Sequence, residues 1–106
     1  MPGRKVYKDY EESDVRAAFE RARASTWSDF INSLQQLALA SHLTPPGETA
    51  HMIADAKQAM KDNVPFPQSP EQAYRVMRSH RNPELVRQEE QAWIARWEQR
   101  EKEFRA

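Results

Sequence analysis

The part of the chain that follows Pro83 runs to Ala106 with no glycine and no further proline. Proline suits the first turn of a helix, where its missing N–H costs no hydrogen bond, and Asn82 before it is a favourable cap. The apolar residues of this stretch repeat at helical spacing, and they are Val86, Trp93, Trp97 and Phe104, flanked by Leu85 and Ile94. The pattern predicts a long amphipathic helix, about 30 Å in length.

The two halves of this predicted helix differ in composition. The part from Leu85 to Trp97 has the apolar spacing of a core helix, whereas from Glu98 onward only Phe104 and Ala106 are apolar. A helix buries an apolar stripe against its own domain when it has one. We therefore expect the second half to project beyond the core or to pack on a partner.

The rest of the chain also has the pattern of helices rather than strands. Glycine occurs only at Gly3 and Gly47, which leaves few tight β-turns. Four further helices are predicted to start near Ser13, at Ser25 or Thr26, after the break Thr44-Pro45-Pro46-Gly47, and at Pro70 behind Ser69. Asn63 is the predicted C-terminal cap of the third helix. Their predicted inward residues are Val15, Ala18, Phe19 and Ala22; Trp27, Phe30, Ile31, Leu34, Leu37 and Ala38; Met52, Ile53, Ala56 and Met60; and Ala73, Val76, Met77 and His80.

These segments predict an all-α fold, a compact bundle of four to five helices with the second and last helices at the centre of the core. The first two helices lie so close in sequence that one bent helix is an alternative. A chain of 106 residues is the size of one domain. We assign residues 13–106 to that domain and residues 1–12 to an N-terminal arm. The arm either docks through Val6, Tyr7 and Tyr10 or stays flexible.

Composition excludes several classes of function. The sequence has no cysteine, so disulfides, thiolate zinc sites and a cysteine nucleophile are ruled out. No apolar run approaches the roughly 20 residues of a membrane helix, and no hydrophobic signal core follows the basic start of the chain. We expect a cytoplasmic protein with no membrane partner. The formal net charge of zero is unlike that of a general polyanion binder.

His51 and Asp55 lie four apart on the predicted third helix, so they share a helix face and could both bind one metal ion. Zinc needs three or four ligands, and His42 and His80 have no diagnostic spacing relative to this pair. We therefore interpret the pair as part of a solvated helix face, with a metal-dependent enzyme as a third hypothesis. No catalytic carboxylate pair, serine nucleophile or phosphate loop is indicated. The sequence predicts no enzyme, no catalytic residue, no metal and no cofactor.

Two groups of residues are candidates for binding a partner. Arg75, Arg78, Arg81 and Arg87 form a basic stretch in which Glu84 is the single acid. Such arginines bind phosphates or the carboxylates of a partner. The alternative is that they are solvated and paired with acids of the same chain. The acids expected to pair with them are Glu71, Glu84 and Glu90. Trp93 and Trp97 are the second group, since tryptophan is enriched in binding hot spots but also fills cores.

The sequence favours a non-enzymatic protein-binding module that acts through a helical surface. Such a module would be a small regulator, adaptor or inhibitor, and the profile suits an accessory protein of phage or plasmid type. The partner is another protein, or a second copy bound through the C-terminal helix. The alternative is nucleic-acid binding through the four arginines, assisted by Arg4, Lys5 and Lys8, which predicts affinity that falls steeply with salt.

Overall fold

The computed structural model describes residues 8–40 and 47–105, and this part of the chain is an all-helical bundle. Its five helices are α1 (Glu12–Ala22), α2 (Trp27–Leu39), α3 (Gly47–Lys61), α4 (Pro70–Ser79) and α5 (Pro83–Arg105). The predicted fold class, with its long C-terminal helix, is confirmed. Four predictions lie outside the described residues: the docking of Val6 and Tyr7, the proline break at 44–46, the basic residues Arg4 and Lys5, and the inward position of the Phe104 side chain.

The first two helices are separate, which decides between the two alternatives for this region. Arg23 has a left-handed backbone, with φ of 47°, and this conformation ends α1 because it cannot continue a right-handed helix. The sequence predicts that α1 starts near Ser13 with Ser13 as its cap, but the observed cap lies two residues earlier. Glu11, not Ser13, is the cap, and its backbone N–H donates to the Asp14 carboxylate at 2.8 Å. An acidic side chain in the first turn satisfies a backbone donor that has no partner within the helix.

The other predicted helix ends are formed by the residues that the sequence indicates. Thr26 Oγ1 accepts from the backbone N–H of Asp29 at 3.1 Å, and Ser69 Oγ accepts from that of Gln72 at 3.2 Å. Asn63 follows α3 with a left-handed φ of 59°. Capping of this kind satisfies the free backbone groups of a helix end, so these boundaries are fixed locally.

The centre of the bundle is α3, which packs on α2, α4 and α5, while α1 packs on α2 and α4. The prediction that α2 and α5 form the centre is therefore wrong. Alanines on several sides of α3 allow three neighbouring helices to approach closely, and the buried ones are Ala50, Ala54, Ala56 and Ala59. Met60, predicted to point inward, is instead 43% exposed. It lies in the last turn of α3, where fewer helices cover the surface.

A cluster of aromatic rings fills the space between α1, α2 and the linker that follows α3. Phe66 stacks on Phe19 with ring centroids 5.7 Å apart and meets the edge of Trp27 at 5.1 Å. The Trp27 indole N–H also donates to the Val64 carbonyl at 2.8 Å. The extended linker, which the prolines impose, is thus held by both packing and a hydrogen bond.

Burial along α5 decreases toward its end. Trp93 is buried at 6% exposure, Trp97 is half-buried, and residues 98–100 are exposed. Val86 and Ile94 are also only partly buried, so the N-terminal half of α5 contributes less to the core than its spacing predicts. Among the described helices, none is long and apolar enough to cross a membrane.

Candidate functional site

A cluster of charged and polar side chains lies where the N-terminal segment meets α3, α4 and α5. We call it the ionic cluster, and its members are Asp9, Tyr10, His51, Asp55, Arg78, Arg81 and Glu90. The members come from four separate parts of the chain. Buried or half-buried ionisable groups of this kind require partners, because desolvation of an unpaired charge is costly.

Asp55 occupies the innermost position of the ionic cluster and is fully buried at 0% exposure. Its carboxylate accepts from the Tyr10 hydroxyl and from two guanidinium nitrogens of Arg81, Nε at 3.1 Å and Nη2 at 2.8 Å. Burial, together with the negative charge of Asp55, raises the pKa of Tyr10. Tyr10 therefore stays neutral at physiological pH and donates its hydroxyl hydrogen to Asp55.

Asp9 sits on the outer side of the ionic cluster and binds both arginines. Arg78 Nη1 and Arg81 Nη1 each donate to Asp9 Oδ2 at 2.7 Å. Partial burial alone would raise the pKa of Asp9, but the hydrogen bonds from Arg81 and His51 outweigh it and hold that pKa well below its usual range. The hydrogen bond to Asp9 correspondingly raises the pKa of Arg81. The two charges are thus strongly coupled in the folded state.

His51 lies between two carboxylates, with Nδ1 3.0 Å from Asp9 Oδ1 and Nε2 2.5 Å from Glu90 Oε2. Only an imidazole with protons on both nitrogens donates to both oxygens at once. The interpretation of His51 and Asp55 as a solvated helix face is wrong, because both are buried. The N-terminal segment and α5 cover this face of α3, and helical spacing alone does not reveal what covers it.

The groups of the ionic cluster use their hydrogen-bonding capacity on one another. Within the described part of the chain, no buried side-chain nitrogen or oxygen lacks a partner. Nor do the described residues include three or more acids and histidines arranged to hold a metal ion. The arrangement fastens the segment before α1 to α3 and to the junction of α4 with α5. The arrangement pairs opposite charges that lie far apart in the sequence.

The four candidate arginines do not form one basic patch. Arg78 and Arg81 bind carboxylates of the ionic cluster, and Arg87 pairs with Glu84 at 2.5 Å. Arg75 is exposed and makes no ion pair with the described residues. Of the acids expected to pair with these arginines, only Glu84 does so. Glu71 pairs instead with Arg16, and Glu90 contacts His51.

The two candidate tryptophans differ in their surroundings. Trp93 is buried, with the Arg96 guanidinium 5.1 Å from its ring centroid, and belongs to the core. Trp97 is half-buried one turn later, and Arg100, on the same stripe, donates to the Leu39 carbonyl at the end of α2. Leu39 itself is 43% exposed. We call Leu39, Trp97 and Arg100 the α5 end surface.

Sequence reasoning missed Asp9, Tyr10 and Glu90 as members of a site. The available signal was Asp55, an acid flanked by Ala54 and Ala56 in the most alanine-rich helix. A carboxylate on an apolar helix face requires a cation or several donors, and the nearby arginines of α4 were candidates. Tyr10 is one of the predicted docking residues of the N-terminal arm, and its burial confirms docking at that residue, but nothing in the sequence identifies Asp9 as a partner of the arginines.

No family model, curated protein sequence or solved structure matches this chain. The class of protein is therefore defined by its fold alone, an all-α bundle of five described helices. Function has to be argued from the residues and their contacts.

Proposed function

We propose that this protein is a non-enzymatic protein-binding module, a small regulator, adaptor or inhibitor, that holds its partner at the α5 end surface. The proposal includes a cytoplasmic location. The observation that carries it is the position of Leu39, Trp97 and Arg100 where α5 leaves the body of the bundle. Tryptophan and arginine are the residue types that contribute most to protein interfaces, and here Arg100 donates to the carbonyl of Leu39, whose side chain is exposed.

Two further features support a binding role. His51 and Asp55, the candidate metal ligands, form hydrogen bonds and ion pairs within the ionic cluster, which favours a structural role for them. The helix that carries Trp97 is held mainly by α3, so its outer faces beyond that residue remain accessible. An amphipathic helix with one covered side is a common element of helix-in-groove recognition.

Nucleic-acid binding is the less favoured alternative. It was predicted from four arginines, and two of them bind internal carboxylates while a third pairs with Glu84. Paired arginines neutralise fewer phosphates, and phosphate contacts supply most of the affinity for DNA or RNA.

The experiment that tests the proposal is capture of partners from the native host with the full chain as bait. A Trp97→Ala change is expected to weaken binding of the captured protein by about thirtyfold, the loss of a 2 kcal/mol hot spot. Leu39→Ser is expected to weaken it as well. The matched control is Met60→Ser, because Met60 and Leu39 are both 43% exposed but lie near opposite ends of the bundle.

Three outcomes would contradict the proposal. They are capture of no protein where partners are present, equal binding by the Trp97→Ala variant, and salt-dependent binding of duplex DNA or RNA in place of a protein. Light scattering measures the molar mass of the same preparations. A molar mass twice that of the monomer for the parent, but not for the Trp97→Ala variant, identifies a second copy of the chain as the partner.

A further inference from the structure

A second surface of the bundle is an open groove of about 350 Å³ between α1 and α3, with α2 beneath it. We call it the α1–α3 groove. Ala17 of α1, Leu37 of α2 and Met52 of α3 supply its apolar lining. Ala17 is exposed, and its small side chain keeps the groove open. A volume of this size accommodates one or two side chains of a docked segment.

The two ends of the α1–α3 groove carry opposite charge. Asp14 and Glu48 lie close together at one end. Arg21 lines the groove two turns further along α1, roughly 10 Å away along the helix axis. The groove is therefore acidic at one end, apolar along its floor and basic at the other end.

Among the residues that the structure describes, no cation forms an ion pair with Glu48 at the acidic end. Partial burial, followed by the charge of Asp14, raises the pKa of Glu48. Lys8 lies in the vicinity and lowers it in part, but its own ion pair is with Glu11, at 3.4 Å. None of the ion pairs among the described residues involves Glu48 or Arg21. A cation from outside would bind two carboxylates there, and an acid would bind Arg21.

We propose that the α1–α3 groove docks a segment of a partner protein that carries a lysine or arginine, then an apolar side chain, then an acidic residue. The basic group binds between Asp14 and Glu48, the apolar side chain covers Ala17, Leu37 and Met52, and the acid faces Arg21. This inference rests on the proposed function, because it takes the occupant to be another protein. It adds the chemistry of the partner and a second contact surface.

The first test uses small probes that share one apolar body and differ in charge, 4-methylpentylammonium and 4-methylpentanoate, titrated into the full chain by NMR. The ammonium probe is expected to shift the Met52 methyl and the amides of Ala17 and Glu48 saturably. Glu48→Gln should weaken this binding about tenfold. Asp29→Asn, an exposed acid on α2 outside this groove, is the matched control and should leave it unchanged. Equal shifts by both probes, or no effect of Glu48→Gln, would overturn the proposal.

The second test uses peptides selected from a random display library on the immobilised chain. The selected peptides are expected to carry a basic residue beside an apolar one. The Ala17→Leu change places a larger side chain in the groove and should abolish binding of these peptides. Because leucine is a good helix former, the circular dichroism spectrum and Tm of the variant should equal those of the parent. Selected peptides without a basic residue, or unaffected by Ala17→Leu, would count against the groove. If the host partner is lost with Trp97→Ala but retained by Glu48→Gln and Ala17→Leu, the groove proposal fails and the proposed function stands.

Discussion

At the scale of single residues, Asp55 shows how one buried charge organises its surroundings. It is fully buried and is compensated by Arg81 and by the Tyr10 hydroxyl. A buried ion pair adds little net stability compared with apolar residues of the same shape, because both charges lose their hydration. Removing one of the two charged partners is costly, because the remaining charge stays buried without a partner. The same residues therefore specify where the N-terminal segment binds.

We expect Asp55→Ala to lower the free energy of unfolding by about 3–5 kcal/mol, because Arg81 and Tyr10 lose a buried acceptor. Urea denaturation followed by circular dichroism measures this change. Asp62→Ala is the matched control at the end of the same helix. Its exposed pairing with His80 predicts a loss of at most about 1 kcal/mol. Equal losses in the two variants would contradict the assigned role of Asp55.

Asp9 predicts a pH dependence of stability at the same scale. Its pKa is lower in the folded protein than in the unfolded chain, so its ionised form is favoured by folding. This contribution is complete above the unfolded pKa, about 4, and is lost as pH falls from there toward the folded pKa. The difference in unfolding free energy between the parent and Asp9→Asn should therefore shrink as pH falls from 5 to 2.5, about the lower limit of such measurements.

Urea titrations at several pH values across this interval check the prediction for Asp9. Glu103→Gln, an exposed acid near the end of α5, is the control and should keep a constant difference from the parent. A difference for Asp9→Asn that does not change with pH would show that Asp9 does not bind Arg81 and His51 as described.

At the scale of elements, α5 is one continuous helix with two environments. It packs on α3, and the ion pair of Glu89 with Lys57 at 2.7 Å joins the two helices in the first half of α5. After Trp97, residues 98–100 and 102–103 are exposed. The helix nonetheless continues to Arg105, because helix propensity and spaced charges of both signs stabilise it locally.

The division of α5 predicts different effects for its two tryptophans. Trp93→Ala should lower the free energy of unfolding by about 3–5 kcal/mol, the usual cost of removing a large buried aromatic side chain. Trp97→Ala should cost about half as much or less, because Trp97 is only half-buried. Thermal and urea denaturation of the two variants compare them directly. A larger loss for Trp97 would place it in the core and weaken its assignment to the α5 end surface.

At the scale of the whole molecule, the bundle is elongated by α5. Its extents are 44 × 27 × 23 Å and its radius of gyration is 14.0 Å, against about 13 Å for a compact domain of this size. A helix that spans Pro83–Arg105 is about 35 Å long and exceeds both shorter extents. The two proposed binding surfaces lie on different parts of this shape, one at the end of α5 and one between α1 and α3.

The sequence alone determined the helices and most of their ends. Ser69-Pro70, Thr26 and Asn63 act through backbone groups within a few residues, so local chemistry suffices to place them. Apolar spacing likewise identified the inward apolar residues of α2 and α4. The limits of that reasoning are Met60 and His80, both predicted to point inward and both substantially exposed, and the two-residue shift of the α1 cap from Ser13 to Glu11.

Only the tertiary structure decided which helix is central and which charges meet. His51 and Asp55 have the spacing of a surface pair, and Asp9 is far from both in sequence. Their contact depends on how α3 is covered by the N-terminal segment and α5, which is a property of packing over long sequence separations. For the same reason, Arg78 and Arg81 changed from a predicted binding patch into internal partners of Asp9 and Asp55.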